Sequence, residues 1–364
     1  MVDRTYPSIH ILGSRQYGGA DQFYVRLIRA LQQEGQEVIP INRTGSPVAK
    51  ALEENGPEQV HLPLFSQWDQ WSAWQIRRII DRYQPCVVQT YMGRATRLTR
   101  VDPKSEAVHI ARLGGFYKID GYYRHAHAWI GNTRAVCDYL VSKGLPSDRI
   151  FQIGNFVPDP VRVSEQFRRE LREDHGVTPT HLVFLALGRL IEKKGFSDLL
   201  QAFAKLEPEY KGHPLLLMIA GKGDEERKLK SLCASLGLNA RVRWLGWRSP
   251  EELYVVADYF VCPSRHEPLG NVILEAWSYG LPVISTRTDG ARELIDDDQS
   301  GLLCAADNPD DLAHRMRDAI SLSDKFRKEL IHTGYLRIQQ RHSRAAVVKA
   351  YLDLYQYLMS KRGL

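Results

Sequence analysis

The chain has 364 residues, more than one ordinary hydrophobic core accommodates, and this length predicts two domains. Apolar residues make up 43% and charged residues 25%, as in globular proteins, and the absence of a run of about 18 apolar residues excludes a membrane-spanning helix. The net charge is +6, and residues 1–157 carry most of it, with 19 Lys/Arg against 14 Asp/Glu. A basic face there could meet anionic lipid, a phosphorylated acceptor or nucleic acid, or it could be a solvated surface.

The start of the chain and the cysteines predict a cytoplasmic protein. The sequence MVDRTYPSIHILG lacks the basic segment and the following apolar segment of a secretory signal. The cysteines are widely spaced and form no CxxC pair, so reduced and mostly buried thiols are expected. They are Cys86, Cys137, Cys233, Cys262 and Cys304.

In the first half, short apolar segments alternate with amphipathic ones. A Gly-rich turn, Tyr17-Gly18-Gly19, follows the first apolar run, and residues 20–35 have the spacing of a helix that ends at Gly35. Strands alternating with helices indicate a parallel sheet covered on both faces. Further strands are predicted at 37–42, 59–64, 86–91, 107–113 and 128–133, and the clearest further helices at 68–83 and 134–143.

The second half repeats this alternation. A stretch rich in Pro, Arg and Glu, 155–180, is expected to be the linker, and 345–359 is predicted to be a long terminal helix. Strands are predicted at 182–188, 215–221, 242–246, 259–264 and 282–286, and helices at 196–206, 225–236, 250–256 and 271–279.

Two Rossmann-like domains follow from these patterns. The first comprises residues 1–157 together with the terminal helix at about 343–364, and the second comprises 158–342. An open parallel sheet binds ligands at the carboxyl ends of its strands, so two such sheets facing across a cleft predict an interdomain site.

The densest group of candidate residues lies in RHEPLGNVILEAWSYG, at 265–280, where a turn leads into a helix near Gly270. The first N–H groups of a helix have no internal partner and the helix dipole is positive there, which suits a diphosphate. Glu275, one turn inside, could accept hydrogen bonds from two ribose hydroxyls, and Glu267 in the turn could meet sugar hydroxyls. The alternative is a capped helix with two surface glutamates.

A second group, GRLIEKKG, follows the first strand of the second domain. Arg189 and Lys194 lie five residues apart across a loop and could converge on one anion, such as a departing diphosphate. The alternative is a polar loop with scattered surface cations.

Together these stretches resemble the family 4 glycosyltransferases of the GT-B fold. The resemblance is carried by ALGRLIEKKGFSDLLQAFAKL, IAGKGDE, CPSRHEPLGNVILEAWSYGLPVISTRTDGARELI and LLCAADNPDDLA. The spacings of Arg189 to Lys194 and of Glu267 to Glu275 are those of the family. The match is close over roughly residues 182–320 and looser before them, where Gly18-Gly19-Ala20 resembles the family's donor-phosphate loop.

The resemblance implies a retaining transfer of a sugar from a UDP-, GDP- or ADP-sugar to a glycan or lipid-linked acceptor, in bacterial-type surface polysaccharide or lipopolysaccharide synthesis. Neither a cofactor nor a metal is implied. Arg189 and Lys194 would bind the diphosphate, Glu267 would contact the donor sugar, and the terminal helix would cross back to the first domain. The donor-binding residues implied are Gly18, Gly19, Leu269, Gly270, Asn271, Val272 and Glu275, with Trp247 and Arg248 near the base.

One position departs from the family pattern. Many members have a histidine just after the middle strand of the first domain, and here that position falls at about Gly114. His109 lies inside the strand and is expected to be a packed residue. The acceptor-side role would be absent, or taken by Arg112, Tyr117 or a water. This departure keeps open a catalytically silent nucleotide-sugar-binding subunit of a transferase complex, whereas a GT-B epimerase or phosphorylase would need a catalytic set that is not found.

The tryptophans Trp68, Trp71 and Trp74, followed by arginines, could form a peripheral contact with the inner face of a membrane, or a helix packed on its own sheet. The arginines at 94, 97 and 100 could bind a phosphorylated acceptor or be solvated.

Three remaining patterns carry less weight. The acidic run 296–298 is expected to be a surface loop rather than a metal site. The GxG at 221–223 is weak support for a dinucleotide site, and no nucleic-acid-binding module is present.

Overall fold

The computed structural model of the chain describes residues 5–159, 163–248 and 250–361. The chain divides into two compact units: Met1–Phe156 with Ser343–Leu364 form unit 1, and Val157–His342 form unit 2. Each unit has a parallel sheet with helices between its strands, which is the α/β class that the alternating pattern predicts.

Unit 1 is built on a parallel sheet. Its strands are β1 (Ser8–Leu12), β2 (Val38–Arg43), β3 (Val60–Leu62), β4 (Val87–Tyr91), β5 (Val108–Leu113), β6 (Ala128–Gly131) and β7 (Ile150–Gln152). Its first helices are α1 (Gly19–Gln33), α2 (Pro47–Glu53), α3 (Gln70–Tyr83), α4 (Met92–Leu98) and α5 (Arg134–Ser142). The strand order is β3-β2-β1-β4-β5-β6-β7. Alternate side chains of β1 enter different cores, Leu12 beside α1 and Ile9 and Ile11 beside α3, because successive residues of a strand point to opposite faces.

Unit 2 repeats the plan with a second sheet. Its strands are β8 (Leu182–Leu187), β9 (Glu209–Tyr210), β10 (His213–Ala220), β11 (Val242–Gly246), β12 (Tyr259–Cys262), β13 (Val283–Thr286) and β14 (Leu302–Cys304). Its helices are α6 (Glu165–Asp174), α7 (Phe196–Ala204), α8 (Glu226–Ser235), α9 (Pro250–Val256), α10 (Asn271–Ser278), α11 (Asp289–Leu294), α12 (Pro309–Ser321) and α13 (Asp324–Arg337). The parallel order is β11-β10-β8-β12-β13-β14, and β9 pairs antiparallel with β10.

The last helix, α14 (Arg344–Ser360), belongs to unit 1, as the pattern over 345–359 predicts. Val347, Tyr351 and Tyr355 are buried in the core that also holds α1. The Tyr355 hydroxyl donates to Gln89 Oε1 at 2.7 Å, and Arg112 Nε donates to the Tyr351 hydroxyl at 2.9 Å. These two hydrogen bonds therefore fix the position of the helix along the sheet. Residues 362–364 of the predicted helix lie outside the described part.

The strand order reverses in each sheet. In unit 1 the chain runs from β1 outward through β2 to β3 and then returns to place β4 on the other side of β1. In unit 2 it runs from β8 through β10 to β11 and returns to place β12 beside β8. At such a switch point the loops at the carboxyl ends diverge and leave a crevice for ligands.

The prediction of a linker over 155–180 is wrong, because much of this stretch is helix α6, packed in unit 2. Ser164 caps the helix by accepting from the Phe167 N–H. Arg172, 6% exposed, donates to Asp258 and to the Val256 carbonyl. The apolar pattern did not predict this helix, because its sequence is mostly charged. Its contact with the rest of unit 2 depends on the buried Arg172 rather than on a stripe of apolar residues. Residues 160–162 of the stretch lie outside the described part.

Among the described residues, no helix is both long enough and apolar enough to cross a bilayer. All five cysteines are unpaired, and four of them are buried, while Cys86 is half-buried. The expectation of mostly buried thiols is therefore confirmed, and their reduced state stays a prediction.

Buried histidines make unit 1 sensitive to acid. Burial lowers the pKa of His10 from 6.5 to about 3, and its ring nitrogens bond to the Tyr91 and Ser8 hydroxyls. Because the pKa is depressed in the folded state, stability is present above pH 6.5 and is lost as the pH falls toward 3. Each such group contributes a slope of about 1.4 kcal/mol per pH unit in this window.

We expect the His10→Gln variant to show a flatter loss of stability than the wild type between about pH 6.5 and about pH 5, by close to one proton. The free energy of unfolding would be measured at each pH by urea unfolding, and hydrogen exchange of peptides from β1 would report on unit 1. His314→Gln, at an exposed position of unit 2, is the control and should leave the slope unchanged. Equal slopes for His10→Gln and the wild type would contradict the assignment.

Candidate active site

The two sequence motifs of unit 2 meet at its switch point. The loop after β8 carries Arg189 and Lys194, and the loop after β12 carries Glu267. Because β8 and β12 are neighbours in the sheet, their carboxyl-end loops lie side by side. The Lys194 ammonium contacts Glu267 Oε2, and the two side chains are only 21% and 15% exposed.

This ion pair is electrostatically matched. Burial acts to lower the pKa of Lys194, but the charge and the hydrogen bond of Glu267, together with Cys262, outweigh it, so the pKa of Lys194 is raised. The lysine therefore stays cationic through the physiological range. A partly buried cation at a strand's carboxyl end is suited to a phosphate, because solvent screens it less than a surface charge.

Three contacts lock the two loops together. Arg265 forms a bidentate pair with Asp198 at 2.8 and 2.7 Å, and its backbone N–H donates to the Lys193 carbonyl at 2.9 Å. Gly195 has φ +65°, and a Cβ there would lie 1.9 Å from the Pro263 carbonyl oxygen. Only glycine permits both this conformation and this approach. The position of Lys194 against Glu267 is therefore fixed by backbone packing as well as by charge.

Helix α10 points its N-terminus into the same place. Gly270 is its N-cap, with φ +86°, and Asn271 and Val272 supply the first backbone N–H groups of the helix. Leu269 and Gly270 are buried, whereas Asn271 and Val272 are half-buried. The helix dipole and these N–H groups make this terminus favourable for an anion.

Glu275 lies one turn into α10. Its Oε2 accepts a hydrogen bond from the Tyr254 hydroxyl at 3.0 Å, and that hydroxyl also approaches the Val272 carbonyl at 3.4 Å. Tyr254 is 2% exposed and stacks on Tyr279, so it holds the carboxylate in one orientation. Glu275 remains half-buried, which leaves it accessible to a polar ligand.

The remaining predicted residues of unit 2 lie on the surface. Arg189 is exposed and near enough to Lys194 to act on its pKa, and it makes no ion pair within the described ranges. Trp247 is 73% exposed and Arg248 is exposed, both just after β11. The structure thus brings Lys194, Glu267 and the start of α10 together, with Arg189 beside them.

The predicted residues of unit 1 fall into two groups. Gly18 and Gly19 are exposed at the start of α1, with Gly18 as N-cap, and the Gly18 N–H donates to Asp21 Oδ2 at 2.7 Å. They lie at the carboxyl end of β1, beside that unit's switch point. Burial raises the pKa of the Asp21 carboxyl.

The two candidates for the acceptor side differ in burial. Arg112 is 3% exposed, and its guanidinium donates to Tyr351 and Asn155 and lies 4.1 Å from the centre of the Phe23 ring. These contacts give Arg112 a packing role that joins α14 to the sheet. Tyr117 is half-buried, and burial raises the pKa of its hydroxyl.

His109 is a packed residue, as expected. It is 1% exposed, its Nε2 lies 2.9 Å from Thr90 Oγ1, and burial holds its pKa well below 6.5. It therefore does not stand in for the histidine that the family pattern places near Gly114.

Comparison with known proteins decides the family. The profile of the glycosyl transferases group 1 matches residues 167–337. The chain is 31% identical over 340 residues to the lipopolysaccharide core biosynthesis glycosyltransferase LpsE of Rhizobium meliloti, covering 93% of this chain and 95% of that protein. The chain belongs to the group 1 glycosyltransferases.

Solved structures show the fold of this glycosyltransferase. A glycosyltransferase from Rickettsia africae superposes with a TM-score of 0.86 at 20% identity, covering 98% of this chain and 99% of that one. HepE of Anabaena, in complex with UDP and glucose, superposes with a TM-score of 0.83 at 17% identity, covering 97% and 100%. The fold is GT-B, as predicted.

Sequence reasoning missed several residues on which the site depends. Asp198 and Tyr254 are buried polar groups that orient Arg265 and Glu275, and the Gly290 N–H donates to the Glu267 carbonyl at 3.0 Å. Gly290 lies in the quoted stretch TDGARELI, so its motif was visible. Asp198 and Tyr254 lie inside helical patterns, where no local signal separates them from surface or core residues.

Two weaker sequence patterns find structural roles in the glycosyltransferase. The loop 221–223 packs under the loop after β8, with the Leu190 N–H donating to the Lys222 carbonyl at 2.9 Å. The acidic run 296–298 is paired with Arg287, Arg315 and Arg337. Within the described ranges, no three His, Cys, Asp or Glu side chains are grouped as metal ligands.

We expect Gly195→Ala to destabilise unit 2 more than Gly237→Ala. Both positions have positive φ, +65° and +69°, so alanine at either costs about 1 kcal/mol of backbone strain. Gly237 faces open space, whereas alanine at 195 also overlaps the Pro263 carbonyl, which adds about 1–3 kcal/mol. Urea unfolding of both variants measures the difference. Equal free energies of unfolding would show that the two loops are not locked as described.

Proposed function

We propose that this glycosyltransferase transfers a hexose with retention of anomeric configuration, as family 4 enzymes do, from a nucleotide-diphosphate sugar to a glycan or lipid-linked acceptor, without a metal. The observation that carries the proposal is the contact between Lys194 and Glu267 beside the N-terminus of α10. This arrangement combines a partly buried cation, a carboxylate and helix N–H groups at one switch point. These are the groups that a diphosphate and a sugar hydroxyl require.

The roles in donor binding follow from the position of each group. Lys194, Arg189 and the first N–H groups of α10 would bind the diphosphate. Glu275, oriented by Tyr254, would accept from the ribose hydroxyls. Glu267 would bind a hydroxyl of the donor sugar with the carboxylate oxygen that Lys194 does not occupy. Trp247 and Arg248, after β11, would lie near the base, and Gly18 and Gly19 would supply unit 1's loop to the donor.

The proposed reaction needs no covalent enzyme intermediate. The bond between the anomeric carbon and the diphosphate oxygen breaks, and both electrons go to the diphosphate. The acceptor oxygen bonds to the anomeric carbon on the same face, and its proton passes to the departing phosphate oxygen. Lys194 and Arg189 would stabilise the charge that grows on the diphosphate. The pairing of Glu267 with Lys194 supports this route, because an ammonium contact reduces the nucleophilicity of a carboxylate.

The names of relatives suggest the pathway. LpsE, which matches 93% of the chain, is named for lipopolysaccharide core biosynthesis. We therefore place the acceptor among the saccharides of lipopolysaccharide or a related surface polysaccharide. HepE, whose structure holds UDP and glucose, makes UDP the first nucleotide to test, with GDP and ADP as the alternatives. The cytoplasmic location expected from the sequence stays a prediction.

Position 114 is a glycine where the family pattern has a histidine. This difference supports a second candidate function, a nucleotide-sugar-binding subunit without catalysis. Release of nucleotide from the donor in the presence of acceptor separates the two. A silent subunit binds nucleotide and releases none.

We expect one nucleotide among UDP, GDP and ADP to raise the Tm of the protein without added metal, and Glu275→Ala to abolish that rise. Saturation at about 100 times Kd stabilises by about 2.7 kcal/mol, which a thermal-shift assay resolves. If no nucleotide stabilises the folded protein, the assignment of the donor site fails.

We expect Lys194→Ala to lower the rate of nucleotide release from the donor by about 10² to 10³, the effect of removing one group that stabilises a transition-state charge. The neighbouring Lys193 is exposed, and Lys193→Ala is the matched control. Equal rates for the two variants would contradict the role of Lys194.

We further propose a peripheral contact between unit 1 and a membrane surface. The buried face of α3 is formed by Ser72, Ile76 and Ile80, so the helix packs on its sheet by a face that excludes the tryptophans. Trp71 and Trp74 are 53% and 52% exposed. Phe65 and Trp68, just before the helix, are each 62% exposed.

Arginines accompany this aromatic surface. Arg97 lies 3.7 Å from the centre of the Trp68 ring, and Arg78 lies 4.8 Å from that of Trp74. Unit 1 has 23 Lys/Arg against 15 Asp/Glu, a net +8, whereas unit 2 has 26 against 28, a net −2. Aromatic side chains beside arginines are typical of surfaces that enter the headgroup region of anionic membranes.

We expect the Trp71→Ser/Trp74→Ser variant to bind phosphatidylglycerol-containing vesicles at least about tenfold more weakly than the wild type, because two aromatic contacts with the bilayer are lost. Vesicle co-sedimentation measures it. Phe326→Ser, at an aromatic position of unit 2 that is 62% exposed, is the control. Unchanged binding of the tryptophan variant would exclude this surface.

A further inference from the structure

Three arginines converge at the carboxyl edge of the unit 1 sheet. Arg15 follows β1, Arg43 is the last residue of β2, and Arg94 lies in α4, directly after β4. Their guanidiniums all donate to the same short segment after β3. Arg43 Nη1 donates to the Leu64 carbonyl at 2.8 Å, Arg94 Nη1 donates to it at 3.1 Å, and Arg15 Nη2 donates to the Phe65 carbonyl at 2.9 Å. We call Arg15, Arg43 and Arg94 the arginine cluster.

The cluster is preorganised by the backbone. Arg94 Nη1 also donates to the Gly13 carbonyl at 2.7 Å, and a Cβ at Gly13 would lie 3.1 Å from Arg94 Cδ. Leu64 is fully buried and has φ +46°, a conformation uncommon for a residue with a side chain. Backbone strain of this kind persists where the surrounding structure enforces it, often at ligand sites. Here it belongs to the segment whose carbonyls hold all three guanidiniums.

These bonds supply the cluster with partial rather than full negative charge. In the contacts of the described residues, each guanidinium uses one terminal nitrogen and bonds only to carbonyls, and none forms an ion pair with a carboxylate. Burial and then Arg15 lower the pKa of Arg43, and the Asp69 carboxylate opposes them in part. Burial and then Arg15 and Arg43 lower the pKa of Arg94. The nearest acid, Asp69, accepts from Ser72 and Phe65 as the N-cap of α3. Asp69 is the one acid of the described residues that acts on the pKa of Arg43 or Arg94, so the three arginines keep an excess of positive charge that an anion would stabilise.

The position of the cluster indicates which anion binds there. The strand order β3-β2-β1-β4 makes the four contributing strands adjacent, and the switch point lies between β1 and β4, which lead to Arg15 and Arg94. A ligand of unit 1 is expected at this crevice. Gly18 and Gly19 lie in the same β1–α1 loop as Arg15, so the cluster borders the loop assigned to the donor.

We propose that the arginine cluster binds a phosphate group carried by the acceptor saccharide. The proposal rests on the function proposed above, because it is the transfer reaction that places an acceptor in unit 1. A phosphate monoester carries up to two charges and three terminal oxygens, and the cluster offers several N–H donors from three directions. The glycosyltransferase would thereby select phosphorylated acceptors over neutral ones.

The test uses inorganic phosphate as the probe and the full chain. Because phosphate could also bind at Lys194, thermal shifts are measured in the Arg189→Ala/Lys194→Ala variant, with chloride replaced by phosphate at constant ionic strength. Arg15→Gln is the first substitution, since Arg15 is exposed and makes one hydrogen bond to a carbonyl. Arg43→Gln and Arg94→Gln follow. Arg149→Gln, at an exposed arginine before β7 and so at the amino edge of the sheet, is the matched control.

We expect phosphate to stabilise the background variant, and each cluster substitution to weaken the apparent phosphate affinity by about tenfold, the effect of losing one charged hydrogen bond. Arg149→Gln should leave the affinity unchanged. Gly13→Ala, which keeps every charge but displaces Arg94, should also weaken it. This second variant shows that the geometry of the cluster matters, beyond its net charge.

Two results would overturn the proposal. One is that phosphate does not stabilise the background variant, or that it stabilises all the cluster variants as strongly as the background variant. The other is a loss of binding to phosphatidylglycerol vesicles in the cluster variants while their phosphate response stays intact, which would make the ligand a lipid headgroup. Failure of the proposed donor function is distinguishable from failure of this proposal. In that case nucleotide would not stabilise the wild type, whereas phosphate would still stabilise the background variant through the arginine cluster.

Discussion

The reversal of strand order within each parallel sheet is the constraint on which both candidate sites depend. A parallel sheet aligns all its carboxyl ends at one edge, but only where the chain changes direction do two neighbouring loops leave in opposite directions. In unit 2 this occurs between β8 and β12, and it puts Lys194 and Glu267 in contact although 73 positions separate them. In unit 1 it occurs between β1 and β4, and it brings Arg15 and Arg94 to the same segment after β3. In each unit, therefore, the strand order determines where the site lies, and the individual side chains determine what it can bind.

The cations at the two switch points have different partners. In unit 2 two of the cations are paired with carboxylates: Lys194 contacts Glu267, and Arg265 is paired with Asp198, while Arg189 makes no ion pair within the described ranges. The Lys194–Glu267 and Arg265–Asp198 pairs hold their geometry without a ligand, because each cation already has a carboxylate partner. In unit 1 the arginines are held by carbonyl groups, which supply partial rather than full negative charge. Carbonyl bonds fix the direction of a guanidinium and leave most of its charge available to a ligand.

Much of the fold could be predicted from the sequence, because apolar periodicity reports which face of an element is buried. The elements predicted between 182 and 286, and the terminal helix, lie within a few residues of their predicted bounds, and helix α9 has the predicted bounds of 250 and 256. The sequence analysis assigned no element to β9, α11, β14, α12 or α13. What failed was α6, whose burial depends on Arg172 meeting Asp258 some 86 residues away. In the site, Glu267 and Glu275 could be found from spacing, whereas Tyr254 and Asp198 could not. Their roles arise from contacts between separate elements, and no local pattern encodes such a contact.

The return of α14 to unit 1 has a consequence for how the protein is made. Residues 157–342 are one continuous segment that contains all the strands of unit 2, so this unit can fold as soon as it has left the ribosome. The core of unit 1 lacks Val347, Tyr351 and Tyr355 until α14 has been translated, after the whole of unit 2, and Arg112 lacks the Tyr351 hydroxyl until then. The half of the protein that is synthesised first is therefore the half that matures last. While it waits, the apolar face of α1 is a surface that chaperones can bind.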